Sequence, residues 1–194
     1  MTESILNNQS IQNWVFMTPN YVEMHHKKNN KNYKELALIE KCSLGTSVTS
    51  QSVHWSNSLG ENIVYELLKL FGLEVKKRSK VLINGRTYIP DLETPYAYYE
   101  VKTRNYSTPG TSGEKILGTP LKYIDIPKET GKPLFIVLVG FQEYEAIHMF
   151  NLFGDMSNDK KKIIDTYANM GIYYIGASQL WNNLFDIYCE QLQN

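Results

Sequence analysis

The stretch Tyr88-Ile89-Pro90-Asp91-Leu92-Glu93-Thr94-Pro95-Tyr96-Ala97-Tyr98-Tyr99-Glu100-Val101-Lys102-Thr103-Arg104 carries a strand–turn–strand pattern around which the rest of the chain can be ordered. From Tyr96 onward it is rich in aromatic and β-branched residues, which suit a strand. Side chains alternate across a strand, so Ala97, Tyr99, Val101 and Thr103 share one face and Tyr98, Glu100, Lys102 and Arg104 the other. The first face is expected to pack on a core, leaving the second for chemistry.

The turn constrains the pairing. Pro95 fixes φ at about −65°, which excludes the hairpin turns that need positive φ at that position. A loop from Thr94 to Ala97, built on a type I turn with Pro95 in its second position, fits instead. That register sets Asp91 directly across from Glu100. Two facing carboxylates repel each other unless a cation lies between them. Oxygen-only ligands suit a hard ion such as Mg²⁺. Lys102, two residues beyond Glu100 on the same face, can reach whatever that ion holds. The plain alternative is a salt-bridged strand pair in which Lys102 and Arg104 neutralise Asp91 and Glu100.

The chain has 194 residues, enough for one domain with a proper core. Its 20 basic and 20 acidic residues cancel, so no global field points to a polyanionic partner. Charge is local instead, in Lys27, Lys28, Lys31 and Lys34, in Lys76, Lys77, Arg78 and Lys80, and in Lys160-Lys161-Lys162. Solvated faces explain any one of these, but two clusters flanking a carboxylate centre suit a phosphate backbone. Cys42 and Cys189 lie far apart and outside metal-ligand spacing, which fits a reducing cytosol. No apolar run resembles a signal peptide or is long enough to span a membrane, so a cytoplasmic location is expected. The frequent Asn, Lys, Ile and Tyr suit an AT-rich genome, bacterial or viral.

Residues 1–57 read as an N-terminal extension for DNA recognition or dimerisation, ahead of a domain over 58–194. His25-His26 has no third ligand at metal spacing and reads as an exposed loop. Ile63, Leu67, Leu70 and Phe71 predict a helix from Leu59 to Phe71, stopped by Gly72. Ser58-Leu59-Gly60-Glu61 resembles a capping box, so Glu61 either closes that helix or serves the carboxylate centre as an auxiliary acid. Leu73–Leu82 reads as a strand with a basic outer face, Asn84-Gly85 as a hairpin turn, Arg86–Asp91 as the second strand and Tyr96–Arg104 as the third. A helix is expected from Ser112 or Gly113, interrupted near Gly118-Thr119-Pro120 and resuming toward Tyr123. The apolar run Leu134–Val139 predicts a buried central strand. Helices over Gln142–Phe153 and Asp159–Met170, a strand over Ile172–Ile175 and a helix over Ser178–Leu192 follow, the last with Leu180, Leu184, Ile187 and Leu192 inward. His148 and Trp181 read as packing residues. The fold class is α/β, a mixed central sheet flanked by helices.

With Pro90-Asp91 on strand two and Glu100-Val101-Lys102 on strand three, residues 58–140 resemble the PD-(D/E)XK nuclease superfamily. The string Lys102-Thr103-Arg104-Asn105-Tyr106 with Gly110-Thr111-Ser112-Gly113-Glu114-Lys115-Ile116-Leu117-Gly118-Thr119-Pro120-Leu121-Lys122-Tyr123 looks like that of small type II restriction endonucleases. The resemblance implies an αβββαβ core and Mg²⁺-dependent, site-specific hydrolysis of double-stranded DNA, often by a homodimer. It implies that Asp91, Glu100 and the Val101 carbonyl hold the metal, that Lys102 orients or deprotonates water, and that Glu61 matches an extra acidic position. Arg104 is a candidate phosphate clamp. Gly110, Gly113 and Lys115 are candidates for DNA contact, although Thr111-Ser112-Gly113-Glu114 could simply be another capping box. Glu-x-Lys alone decides nothing, because Glu74-Val75-Lys76 repeats it with no acid on an adjacent strand. A repair or junction-resolving nuclease and a non-catalytic DNA-binding domain are the alternatives.

Overall fold

A computed structural model describes residues 15, 58–103 and 112–193. Apart from Val15, the N-terminal extension lies outside the described residues, as do Arg104 and Gly110, and with them His25-His26, Cys42 and the roles expected there.

The chain order is α1 (Ser58–Leu70), β1 (Lys76–Lys77), β2 (Val81–Ile83), β3 (Arg86–Tyr88), β4 (Leu92–Glu93), β5 (Tyr98–Thr103), α2 (Ser112–Lys122), α3 (Asp125–Thr130), β6 (Leu134–Val139), α4 (Phe141–His148), α5 (Asn158–Asn169), β7 (Ile172–Gly176) and α6 (Ala177–Gln193). Five strands form a mixed sheet in the order β1-β4-β5-β6-β7. Its β1, β4 and β5 are antiparallel, whereas β5, β6 and β7 run parallel through helical crossovers. This is the α/β class with a mixed, helix-flanked sheet that the order of elements predicts.

Strand alternation divides the core in two. Ala97, Tyr99, Val101, Val137, Val139 and Ile175 face α1 and α6, which contribute Ile63, Val64, Leu67, Leu68, Leu180 and Trp181. Tyr98, Leu134, Ile136, Leu138 and Ile172 face the other layer, with Ile116 and Tyr123 around α2, Ile126 of α3 and Ala146 of α4. Because β6 is covered on both sides, every one of its residues is apolar. The expectation of one packed face and one chemical face on β5 is therefore corrected. Both faces are covered, and the acidic side opens only toward the end of the strand at Lys102, which is half-buried.

Four further readings change. The predicted strand over Leu73–Leu82 is broken at Arg78, whose φ of 54° leaves the extended region. Its N–H still donates to the Asp91 carbonyl at 2.9 Å, one step past the β1–β4 ladder. The second strand stops at Tyr88 and not Asp91, since β2 and β3 leave the main sheet as a separate hairpin. Asn84 and Gly85 turn that hairpin with φ of 49° and 76°, as a two-residue loop requires. The inward stripe of α6 runs through Leu180, Trp181, Leu184, Phe185 and Tyr188, while Ile187 is 52% exposed. Helix α1 likewise buries Val64 and Leu68 more completely than Leu70 and Phe71. No helix among the described residues is long and apolar enough to cross a membrane.

Candidate active site

The β4–β5 register pairs Leu92 with Tyr99 and Glu93 with Tyr98, so the next position outward opposes Asp91 to Glu100. The loop behind it is the Thr94–Ala97 connection expected from Pro95. It closes through Thr94 N–H donating to the Ala97 carbonyl at 2.9 Å. The Thr94 hydroxyl oxygen accepts from the Ala97 N–H at 3.1 Å, so a side chain completes the turn. Asp91 itself sits in a bend between Pro90 and β4. Its Oδ2 accepts the Val101 N–H at 2.7 Å, which ties the bend to β5.

Glu100 is 4% exposed. Its Oε1 accepts from Lys102 Nζ at 2.6 Å and has Lys122 Nζ at 3.9 Å. Its Oε2 is buried with no hydrogen-bond partner. The ion pair with Lys102 is the neutralising contact of the plain salt-bridge reading, but it reaches one oxygen only. Burial and then the charge of Glu100 push the Asp91 carboxyl up to about 6, against the Val101 hydrogen bond and the Lys102 charge. Glu61 adds a smaller push in the same direction. Tyr123 is raised by burial and then by Glu100, and its hydroxyl donates to the Ile89 carbonyl at 3.2 Å. Two acids thus share one partly dehydrated space, held from below by a tyrosine.

Helix α1 brings Glu61 to the edge of this space, where it lies 3.4 Å from an Arg78 nitrogen and is 15% exposed. Gly60 allows that approach, because a Cβ there would run into the Thr103 side chain at the end of β5. Both readings of Glu61 gain a competitor, an ion pair with Arg78. The basic cluster before the hairpin is partly committed in the same way, with Lys77 donating to Asn62 at 2.7 Å and lying 4.1 Å over the Tyr65 ring. The Lys160–Lys162 run is bound within its own neighbourhood. Lys161 pairs with Asp165 at 2.8 Å, Lys162 with Asp159 at 3.4 Å, and Lys160 donates to the Phe150 carbonyl. The second Glu-x-Lys is a solvent-exposed contact of 3.9 Å between Glu74 and Lys76.

Opposite Glu100 stands α2. Residue 120 is proline, which cannot donate to the Ile116 carbonyl, and an interruption is the usual consequence. The helix nevertheless runs unbroken from Ser112 to Lys122. The Tyr174 hydroxyl of β7 donates to that carbonyl at 2.9 Å and replaces the missing bond. The consequence for the site is a continuous helical wall. Glu100, Lys102, Lys115, Gly118, Thr119 and Lys122 line a cleft of about 290 Å³. Sequence reasoning points to Lys115 but misses Lys122. The signal for it exists, because 115, 118 and 122 follow the spacing of one helix face. Gly113 lies in the first turn of the same helix.

Among the described residues no group of three or more His, Cys, Asp or Glu side chains could hold a metal ion. Glu61 therefore does not complete a three-carboxylate group with Asp91 and Glu100, and the remaining set is two carboxylates and a backbone carbonyl. Comparison with protein-family models, curated proteins and solved structures finds no match to this chain.

Proposed function

We propose that this protein is a Mg²⁺-dependent, site-specific endonuclease for double-stranded DNA, built on a PD-(D/E)XK core. The observation that carries the reading is Asp91, one position before β4 and tied to β5 by accepting the Val101 N–H at 2.7 Å, beside Glu100 with the Lys102 ammonium 2.6 Å away. The order α1, antiparallel strands ending in β5, α2 and then β6 parallel to β5 supports the αβββαβ core. A two-fold dimer suits a palindromic site.

The donor set fits a hard divalent cation. Glu100 Oε2 is buried without a partner, and the Glu100 charge raises the cost of ionising Asp91. Asp91, Glu100 and the Val101 carbonyl would hold Mg²⁺, which supplies Lewis-acid stabilisation of phosphate charge and makes water more acidic. Lys102 donates to the attacking water and to phosphate oxygen from the same side as Glu100. Hydrolysis joins the water oxygen to phosphorus, breaks the bond to the 3′ oxygen and returns a proton to that oxygen. Lys115 neutralises the backbone beside the cut, and Gly113 at the start of α2 lets the strand come close. Tyr123 and Ile136 are buried in the core layer on the Glu100 side of the sheet.

The test is incubation with Mg²⁺ and long unmodified duplex DNA. Discrete fragments are expected from the parent and none from Lys102→Ala or without a divalent ion. Cutting confined to branched or damaged DNA would move the assignment to a repair nuclease. A Lys102→Ala variant that cuts as well as the parent would remove the proposed role of Lys102.

A further inference from the structure

We infer that the outward face of α2 is a seat for the phosphodiester backbone beside the cleaved bond, with Lys122 and Lys115 as its cations and Gly118 as its clearance. The substrate class rests on the endonuclease reading; the seat itself rests on the helix.

Helix α2 has two unlike faces. Ile116, Thr119, Pro120 and Tyr123 are buried at positions i, i+3, i+4 and i+7. Lys115, Gly118 and Lys122 are exposed at i, i+3 and i+7 and all border the cleft. Lys115 and Lys122 stand about 10 Å apart along the axis. That reach suits neighbouring phosphates of one strand better than a single small anion.

Gly118 is the informative residue. Glycine in a helix interior is a poor helix former, exceeded only by proline. A Cβ at this position would meet nothing within 4 Å, and the backbone does not adopt positive φ. Neither packing nor backbone conformation calls for glycine here. Clearance for a group entering the cleft does.

Lys122 is aimed at the same space. Its side chain is 63% exposed. Its Nζ donates to the Tyr123 hydroxyl at 2.7 Å and sits 4.4 Å from the centre of that ring. Glu100 already has the Lys102 ammonium at 2.6 Å, against 3.9 Å for Lys122. The second lysine is thus held over the cleft mouth by an aromatic ring, free to exchange its long contact with Glu100 for a phosphate oxygen.

The experiment measures fluorescence anisotropy of a labelled DNA duplex without divalent ion across a salt series, together with Tm. Lys122→Ala should bind on the order of tenfold more weakly, with the slope of log K against log salt reduced by about one. Gly118→Ala should raise Tm and still weaken binding, a combination that a purely structural glycine does not produce. Lys128→Ala, exposed on α3, should change neither binding nor slope. Parent-like binding by Gly118→Ala and an unchanged slope for Lys122→Ala would overturn the seat, and Mg²⁺-dependent cutting by the parent would then leave the endonuclease reading intact. Loss of binding in both variants, with a parent that never cuts, would keep the seat and remove the cleavage. A parent that binds no duplex overturns the seat, and cutting with Mg²⁺ then decides the endonuclease reading by itself.

Discussion

Glu100 occupies a position where a carboxylate is costly, with one oxygen on Lys102 and the other buried alone. Its influence on Asp91 gives the first prediction. In Glu100→Gln the charge that opposes ionisation of Asp91 is gone, so the Asp91 carboxyl should titrate below about 6. A carboxyl NMR titration measures this, and an unmoved Asp91 would show that the two acids do not interact. A second buried acid lies away from the cleft. Glu143 of α4 accepts the Ser178 hydroxyl and, at 3.5 Å, the Ser178 N–H in the first turn of α6. Burial pushes it up to about 7 despite those bonds. The folded state then binds a proton that the unfolded chain has lost, so this group's contribution to stability falls as pH rises from 4.5 to about 7. Glu143→Gln should remove that part of the slope and gain on the parent across the window, by on the order of 2 kcal/mol at its top. Denaturant unfolding at pH 4.5 and 7.5 checks it. Asp91, Glu100 and Lys102 are legible in the sequence because their relation is local to one hairpin. Glu143 is not, because its partner Ser178 arrives from a helix 35 positions along the chain.

Helix α2 shows why an element can defy its own sequence. Gly118-Thr119-Pro120 predicts a break, and the prediction misses only the Tyr174 hydroxyl supplied by β7. Tyr174→Phe should therefore cost about 1–2 kcal/mol by leaving the Ile116 carbonyl unpaired. The cost should shrink when residue 120 is also changed, because Pro120→Ala restores an N–H to that carbonyl. A double-mutant cycle by thermal unfolding reads the coupling, and additive losses would mean that Tyr174 acts by packing alone. The strands before the site depart from their local pattern in a related manner. Leu73–Leu82 reads as one strand with a basic outer face, yet Arg78 turns out of the sheet where the β2–β3 excursion begins. Composition reports a preference for extension and is silent on which sheet an extended segment joins.

At the scale of the molecule, a sheet covered on both faces sets the conditions of the site. It makes the carboxylates dry, and a dry oxygen pair should repay a cation with stability. Mg²⁺ at tenfold above its Kd should stabilise the parent by about 1.4 kcal/mol. The gain should vanish in Asp91→Asn and Glu100→Gln, as followed by Tm against Mg²⁺ concentration, and an equal gain in all three would place the ion elsewhere. The amino-acid sequence by itself determined the kinds and order of the elements and the register that opposes Asp91 to Glu100. These depend on short-range causes, the alternation of side chains along a strand and the fixed φ of Pro95. Only the tertiary structure decided that Glu100 is buried, that Arg78 competes for Glu61, and that Lys115 and Lys122 stand across the cleft from Lys102. Each of those facts depends on which distant element covers a given face, and no local pattern specifies that.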